Sequence, residues 1–575
     1  MTTEGSDATP PIDPAGPGAA GGGATASSGQ VGRHALVMAS GTLVSRALGM
    51  VRSTLLVIAI GLTGSVAADA YAVANKLPNV MFAVLAAGVL NSALVPQIVK
   101  SFQADRVRTV HRILTLGGVG ILAVTTLLTV TAGLWVRLYS NWDADQTALA
   151  TAFAFWCIPQ LLFYGLYTLF GQVLNAREQF GWFMWAPVAN NVVAIAGLVA
   201  YLALFGRYML DENASVSAIV GQWTTTKIVL VAGVATLGIA AQALILIPPM
   251  IRGGYRWRWV WRGPKGELRT VTRVASWALA AVVVEQVGVA AITNIASAAS
   301  DAAPKDPTVA GVFGYDFALG IFLMPHSLIS VSLMTVLFTQ MARHASNANM
   351  ARLRDVISEG VRNIGVLTMI AGAIMVVASP HLVRVLALSA SVESVAAVAW
   401  VLAIMSLALV PLGASVIVKQ AYFALEDGRT VFLIHIPMTL AWLAVAYSVK
   451  GLMDPVWWVR GAALGLVATN VVAVVLRTWG LYRRLGGVDL RRILVTYAKA
   501  ATAASLAIVV GVGILAVGPH SWNDQGVTAV MTSVGMSAAI GIAMFAVYAG
   551  ASKVLKVSEV SAAVSAVTRR LRRVR

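Results

Sequence analysis

Fourteen apolar stretches, each of twenty residues or more, follow one another from residue 35 to residue 552. That pattern fixes the fold class. A membrane-spanning helix needs roughly 20 mainly apolar residues, and lipid offers no partners for free backbone N–H and C=O groups. No long β-type alternation interrupts the stretches. The expectation is an all-α polytopic membrane protein with fourteen transmembrane helices, near 35–61, 67–98, 110–136, 147–174, 181–206, 227–250, 270–298, 309–340, 361–387, 394–424, 430–449, 460–482, 493–517 and 529–552. Composition agrees. Hydrophobic residues make up 58% of the 575 and charged residues 11%, with a mean hydropathy of +0.78; soluble domains carry about 25% charge. The lone cysteine, Cys157, lies in an apolar stretch, so no disulfide forms within the chain. No cleavable signal peptide is evident. Residues 1–33, rich in Gly, Ala, Pro, Ser and Thr, read as a disordered tail.

The net charge of +18 would, in a soluble protein, raise nucleic-acid binding. Loop charges give another account. With the N-terminus inside, the inner loops hold Arg106, Arg108, Arg112, Arg177, Arg252, Arg256, Arg258, Arg262, Arg343, Arg352, Arg483 and Arg484. The outer loops are poor in Lys and Arg and hold Asp143, Asp145, Asp211, Glu212, Asp301, Asp306, Asp454 and Asp524. This positive-inside alternation puts both termini in the cytoplasm and removes the motive for a nucleic-acid partner.

A faint internal repeat divides the chain. Asp69 precedes Pro78 by nine residues, as Asp316 precedes Pro325, and the two prolines are 247 apart. Residues 172–178 (QVLNARE) and 420–426 (QAYFALE) share Gln-x3-Ala-x-Glu at an offset of 248. Two pseudo-symmetric six-helix lobes follow as a parallel repeat, plus two C-terminal helices. The expected organisation is a tail over 1–33, an N-lobe over 34–250, a basic Trp/Arg interfacial linker over 251–269, a C-lobe over 270–484, two further helices over 485–556 and a basic tail over 557–575.

Charges inside the spans carry the functional information. Arg46, Arg52, Asp69 and Lys76 fall in or at the mouths of the first two spans. A charge at the bilayer centre costs roughly 2.5–3.5 kcal/mol, so such residues persist where they face a cavity, and a cationic cavity suggests an anionic cargo. Arg46 and Arg52 are six apart, about 9 Å along a helix and about 120° around it. They could make successive contacts with phosphate, which the guanidinium fork suits, or one could snorkel to the inner interface. Asp69 and Lys76 share a helix face and could neutralise one another or serve the cavity. Gly49, Pro78 and Pro325 are candidate hinges, with Gly88 and Pro96 further along the second span. Glu285 and Asp316 are the other intramembrane acids and could pair with the arginines or hold a coupling proton or Na⁺. Lys419, Arg477 and Lys499 lie near inner ends and read as snorkelling. Residues 251–262 (IRGGYRWRWVWR) read as a membrane-surface anchor. No Walker loop, HExxH or Cys/His metal spacing emerges, so the chain reads as no enzyme and as having no cofactor.

Taken together, Ser45-Arg46-x-Leu48-Gly49-x-x-Arg52, Ala68-Asp69-Ala70-Tyr71, Lys76-Leu77-Pro78-Asn79 and Leu94-Val95-Pro96 resemble the opening of the MurJ (MviN) family. Residues 424–430 (ALEDGRT) are similar to that family's loop after its tenth helix, and the Ala, Gly and Val content hints at an actinobacterium. The resemblance implies a lipid II flippase of the multidrug/oligosaccharidyl-lipid/polysaccharide exporter superfamily. It would carry the undecaprenyl-pyrophosphate-linked peptidoglycan precursor from the inner to the outer leaflet of a bacterial plasma membrane, for cell-wall growth and cell shape. It also implies two lobes around a central cavity, a groove for the lipid tail beside the last two helices, cavity roles for Arg46, Arg52 and Asp69, and alternating access. The implied partners are lipid II, membrane phospholipid and cell-wall synthesis proteins, with the chain a monomer and coupling to membrane potential, H⁺ or Na⁺ unassigned. Departures are visible. No arginine follows Asn79, where the chain reads Val80-Met81-Phe82-Ala83. No charge precedes Pro325 in residues 320–324, and the eleventh span has no acid for a Na⁺ site. The rival readings are a polysaccharide-lipid flippase, a multidrug or cation antiporter, and a non-transporting cell-wall scaffold.

Overall fold

The computed structural model describes residues 28–87, 98, 101–102, 106–177, 179–211, 213–262 and 273–560. Residues 1–27 of the expected tail, Gly88, Pro96, linker residues 263–269 and residues 561–575 lie outside the described residues. All regular structure among those described is helical. Among the described residues twelve helices are long and apolar enough to cross a membrane, or thirteen if one bent pair is a single span. This is a multi-pass membrane protein. The span expected at 67–98 is the one that does not qualify. Its helix, Val66–Leu85, carries Asp69, Asn75, Lys76 and Asn79, which lower its hydropathy, and residues 88–97 lie outside the described set.

The chain divides into two compact units, 1–60 with 70–286 and 61–69 with 287–575. The first unit opens with α1 (Ser28–Ile60), which reaches back six residues into the expected tail because a nucleated helix extends at little cost. After α2 (Val66–Leu85) come α3 (Val107–Val130), α4 (Ala132–Tyr139), α5 (Ala144–Cys157), α6 (Gln160–Asn175) and α7 (Phe180–Phe205). A broken run over Thr225–Arg252 completes the unit's spans; it includes a π-helical turn at Val229–Gly233 and α8 (Val234–Leu244). α3 and α4 part at Thr131, whose hydroxyl donates back to the Leu127 carbonyl at 2.8 Å, a side-chain bond that competes with the helix ladder. Ile113, Leu114, Leu169, Phe170, Val173 and Leu246 form the core here.

α9 (Arg273–Ala302) starts in the first unit, and its residues from Val287 belong to the second. The second unit continues through α10 (Gly311–Ser346), α11 (Met350–Leu386), α12 (Val392–Ser406), α13 (Leu409–Ala424), α14 (Gly428–Leu452), α15 (Pro455–Leu485), α16 (Leu490–Val517) and α17 (Val527–Val554). α12 and α13 are the bent pair, at 44°. The expected repeat has a local counterpart. α6 and α13 are both 16 residues long, each preceded by a two-residue break and followed by a helix with an internal proline, Pro187 or Pro437. Asp427 in the ALEDGRT loop caps α14, accepting from the Thr430 N–H at 3.1 Å, and pairs with Arg484. On α16, Ala500, Ala503, Ala504, Ala507 and Gly511 form one small-residue face packed against α11 and α17. Small side chains let helix backbones approach where lipid gives no hydrophobic drive.

Candidate functional site

In the first unit, α1 carries Arg46 and Arg52, both half-buried. The Arg52 guanidinium lies beside the hydroxyl of Tyr71, a buried residue on α2, and near Cys157 and Tyr164. One turn further along α2, the Asn75 side-chain oxygen accepts from Gln160 Nε2 on α6 at 3.1 Å. The Gln160 oxygen accepts from the Tyr164 hydroxyl at 3.3 Å. Tyr71, Asn75, Gln160 and Tyr164 thus form a belt of neutral hydrogen-bonding groups beside Arg52, backed by the Phe82–Tyr164 and Tyr71–Phe153 ring contacts at 5.4 and 5.8 Å. α1 is held in place by α7. Asn191 Nδ2 donates to the Ser45 carbonyl at 2.8 Å and lies 3.2 Å from its hydroxyl. A Cβ at Gly41 would meet Trp185 at 2.8 Å.

No carboxylate among the described residues pairs with Arg46 or Arg52. Two half-buried cations in an apolar span, one of them next to neutral donors and acceptors, can take an oxyanion without first breaking an internal ion pair. Lys76 is half-buried on α2, in the same unit.

The acids are placed differently. Asp69 belongs to the second unit, where it is 4% exposed and accepts from the Phe313 N–H at 2.8 Å. It therefore closes the first turn of α10, where free N–H groups and the helix dipole favour an anion. Gly311 has φ +60°, and a Cβ there would come within 2.4 Å of the Asp69 carboxylate, so the cap and the glycine require each other. Asp316, half-buried on α10, is close enough to act electrostatically on Asp69. Glu285 is exposed on α9. The structure thus brings Asp69 and Asp316 together, while Asp69 and Lys76 stay seven residues apart on the uninterrupted α2. Gly49, Pro78 and Pro325 all lie inside uninterrupted helices, α1, α2 and α10.

One expectation is corrected. Arg477 does not snorkel. It is 3% exposed, donates to the Ser415 hydroxyl and lies 3.5 Å from Met438 Sδ. Its position on α15 turns it inward between α13 and α14, so nearness to a helix end did not decide its direction. The neutral belt was missed from sequence. Its signal was the i, i+4 pairing of polar residues within apolar spans, Tyr71 with Asn75 and Gln160 with Tyr164.

With this geometry in view, the comparisons decide the family. A family model described as "Lipid II flippase MurJ" matches residues 58–536. The chain belongs to the lipid II flippase MurJ family. Its MurJ relatives include a probable lipid II flippase MurJ of Rhizobium meliloti, 28% identical over 452 residues that cover 75% of this chain and 76% of the relative. Another, from Haemophilus influenzae, is 26% identical over 472 residues covering 78% and 85%. A solved lipid II flippase MurJ in an inward-closed conformation has the same fold, at TM-score 0.66 and 15% identity over 89% of this chain and 98% of that one. An inward-facing multidrug resistance MATE family transporter shares it at TM-score 0.60 and 14% identity, over 79% and 98%. The MurJ match begins at residue 58, after Arg46 and Arg52, so the two arginines stand on the geometry above.

Proposed function

We propose that this chain moves lipid II, the undecaprenyl-pyrophosphate-linked peptidoglycan precursor, from the inner to the outer leaflet of a bacterial plasma membrane. Membership of the MurJ family supports the cargo. The observation that carries the mechanism is half-buried Arg52 beside the belt of Tyr71, Asn75, Gln160 and Tyr164, with half-buried Arg46 six residues before it on α1 and no carboxylate among the described residues paired with either. In this reading the arginines bind the pyrophosphate through charge-assisted hydrogen bonds and the belt meets the sugar–peptide headgroup. Alternating access then exposes the headgroup outside. The polyprenyl tail stays in lipid beside α16 and α17, whose outward faces present Leu506, Val509, Met531, Ile542 and Phe545. The positive-inside pattern supports cytoplasmic termini, and a potential negative inside favours outward movement of an anion by about 2.3 kcal/mol per charge per 100 mV.

The test is complementation. A host depleted of its own flippase receives this chain, and externalised lipid II is followed. Restored externalisation is expected. Failure to externalise lipid II together with export of a cationic dye would replace this reading with an antiporter.

A further inference from the structure

The segment after Arg252 is an extended strap, not a helix. Arg177 fastens its base. The guanidinium donates to the Gly253 carbonyl and lies 5.7 Å from the Tyr255 ring centroid and 5.6 Å from that of Phe102. The strap then runs along the start of α3. His111 Nδ1 accepts from the Tyr255 hydroxyl at 2.9 Å and from the Arg258 N–H at 3.4 Å. Thr115 Oγ1 donates to the His111 carbonyl at 2.8 Å and accepts from Trp257 Nε1 and the Val260 N–H, both at 3.2 Å. Alternate residues of an extended chain share a side, and here they stack. Trp257 and Trp259 are 4.9 Å apart, and Trp259 and Trp261 are 6.2 Å apart, at interplanar angles of 29° and 19°. The row starts on the core, where Trp257 meets Phe170, and ends in the open, with Trp259 63% and Trp261 56% exposed. Arg256, Arg258 and Arg262, at intervening positions, are exposed too.

We infer that this strap is a docking site for anionic phospholipid, with Trp259 and Trp261 inserted at headgroup depth and Arg256, Arg258 and Arg262 on the phosphates. Three observations commit it to that occupant. The strap leaves the end of one span, Thr225–Arg252, and is bonded to the first turns of another, Val107–Val130, so it lies where apolar helix surface gives way to water. Tryptophan is favoured at that depth and arginine is drawn to anionic lipid. The network through His111, Thr115 and Arg177 fixes the strap's backbone, so the exposed indoles and guanidinium groups are presented without a further ordering cost. None of these residues belongs to the belt around Arg52, and the site does not depend on what the chain transports.

The test uses the full chain in detergent micelles, titrated with phosphatidylglycerol or with phosphatidylcholine, and counts retained lipid by native mass spectrometry. Replacing Arg256, Arg258 and Arg262 together with glutamine is expected to weaken phosphatidylglycerol retention about fivefold per arginine, from about 1 kcal/mol per basic residue at an anionic surface. Phosphatidylcholine retention should not change. Trp259→Ala with Trp261→Ala should weaken retention of both lipids. A charge-matched control replaces the exposed Arg491, Arg492 and Lys553. Unchanged phosphatidylglycerol retention in the strap variant, or an equal loss in the control, overturns the proposal. Lipid counting does not read flipping, so a failure of the transport reading would leave this result intact.

Discussion

At Asp69 one buried carboxylate closes the first turn of α10, and its charge has a structural partner in the backbone. Asp69→Ala removes the acceptor and should cost about 0.5–2 kcal/mol, as lost helix caps do; Asp69→Asn keeps an oxygen and should cost less. Both effects are read as lowered Tm of the purified chain. Asp69→Asn should also retain lipid II externalisation; abolished flipping at unchanged Tm would instead make Asp69 part of the transport cycle. Gly311→Ala should destabilise by more than about 1 kcal/mol, because φ +60° disfavours a side chain and the Cβ meets the same carboxylate. Arg477 gives a second test at this scale. Its Nη1 donates to Ser415 inside the second unit, so Arg477→Met should cost on the order of 1–3 kcal/mol in thermal unfolding, whereas a snorkelling arginine would be nearly silent. Arg46 and Arg52 stand out in the sequence as candidates because each is a charge in an apolar run. Tyr71, Gln160 and Tyr164 do not, because neutral polar residues occur throughout such runs and only contacts between α2 and α6 reveal them as a group.

Among the elements, helix placement was legible and helix interruption was not. Placement follows from twenty-residue apolar windows, a local property. At the break at Thr131 and at the 44° bend after Ser406 a hydroxyl bonds back to the preceding turn, and the π-helical turn at Val229–Gly233 lies against Trp156, far away in sequence. The second span shows the converse. Its polar residues made it the richest in functional signal and also the poorest as a membrane helix. α16 carries the prediction at this scale. Its small face against α11 and α17 leaves no room, so Ala503→Leu should cost about 1–3 kcal/mol through overpacking. Leu506→Ala, on the outward face, should barely move the same unfolding curve.

For the whole molecule, the alternation of loop charge predicts which ends of the helices face the cytoplasm. Cys157 is buried, so a membrane-impermeant thiol reagent should leave the unmodified chain unlabelled in cells. Asn213→Cys should be labelled from outside and Ser346→Cys should not, both positions being exposed. The reverse pattern would invert the topology and the direction of transport. The central claim rests on the two arginines of α1. The most direct measurement is externalised lipid II in flippase-depleted cells supplied with the wild-type chain, Arg46→Ala or Arg52→Ala at matched membrane levels. Loss of one charge-assisted contact of about 1.5–3 kcal/mol predicts a fall in flipping rate of about tenfold or more for each variant. Wild-type externalisation by both variants would contradict the account.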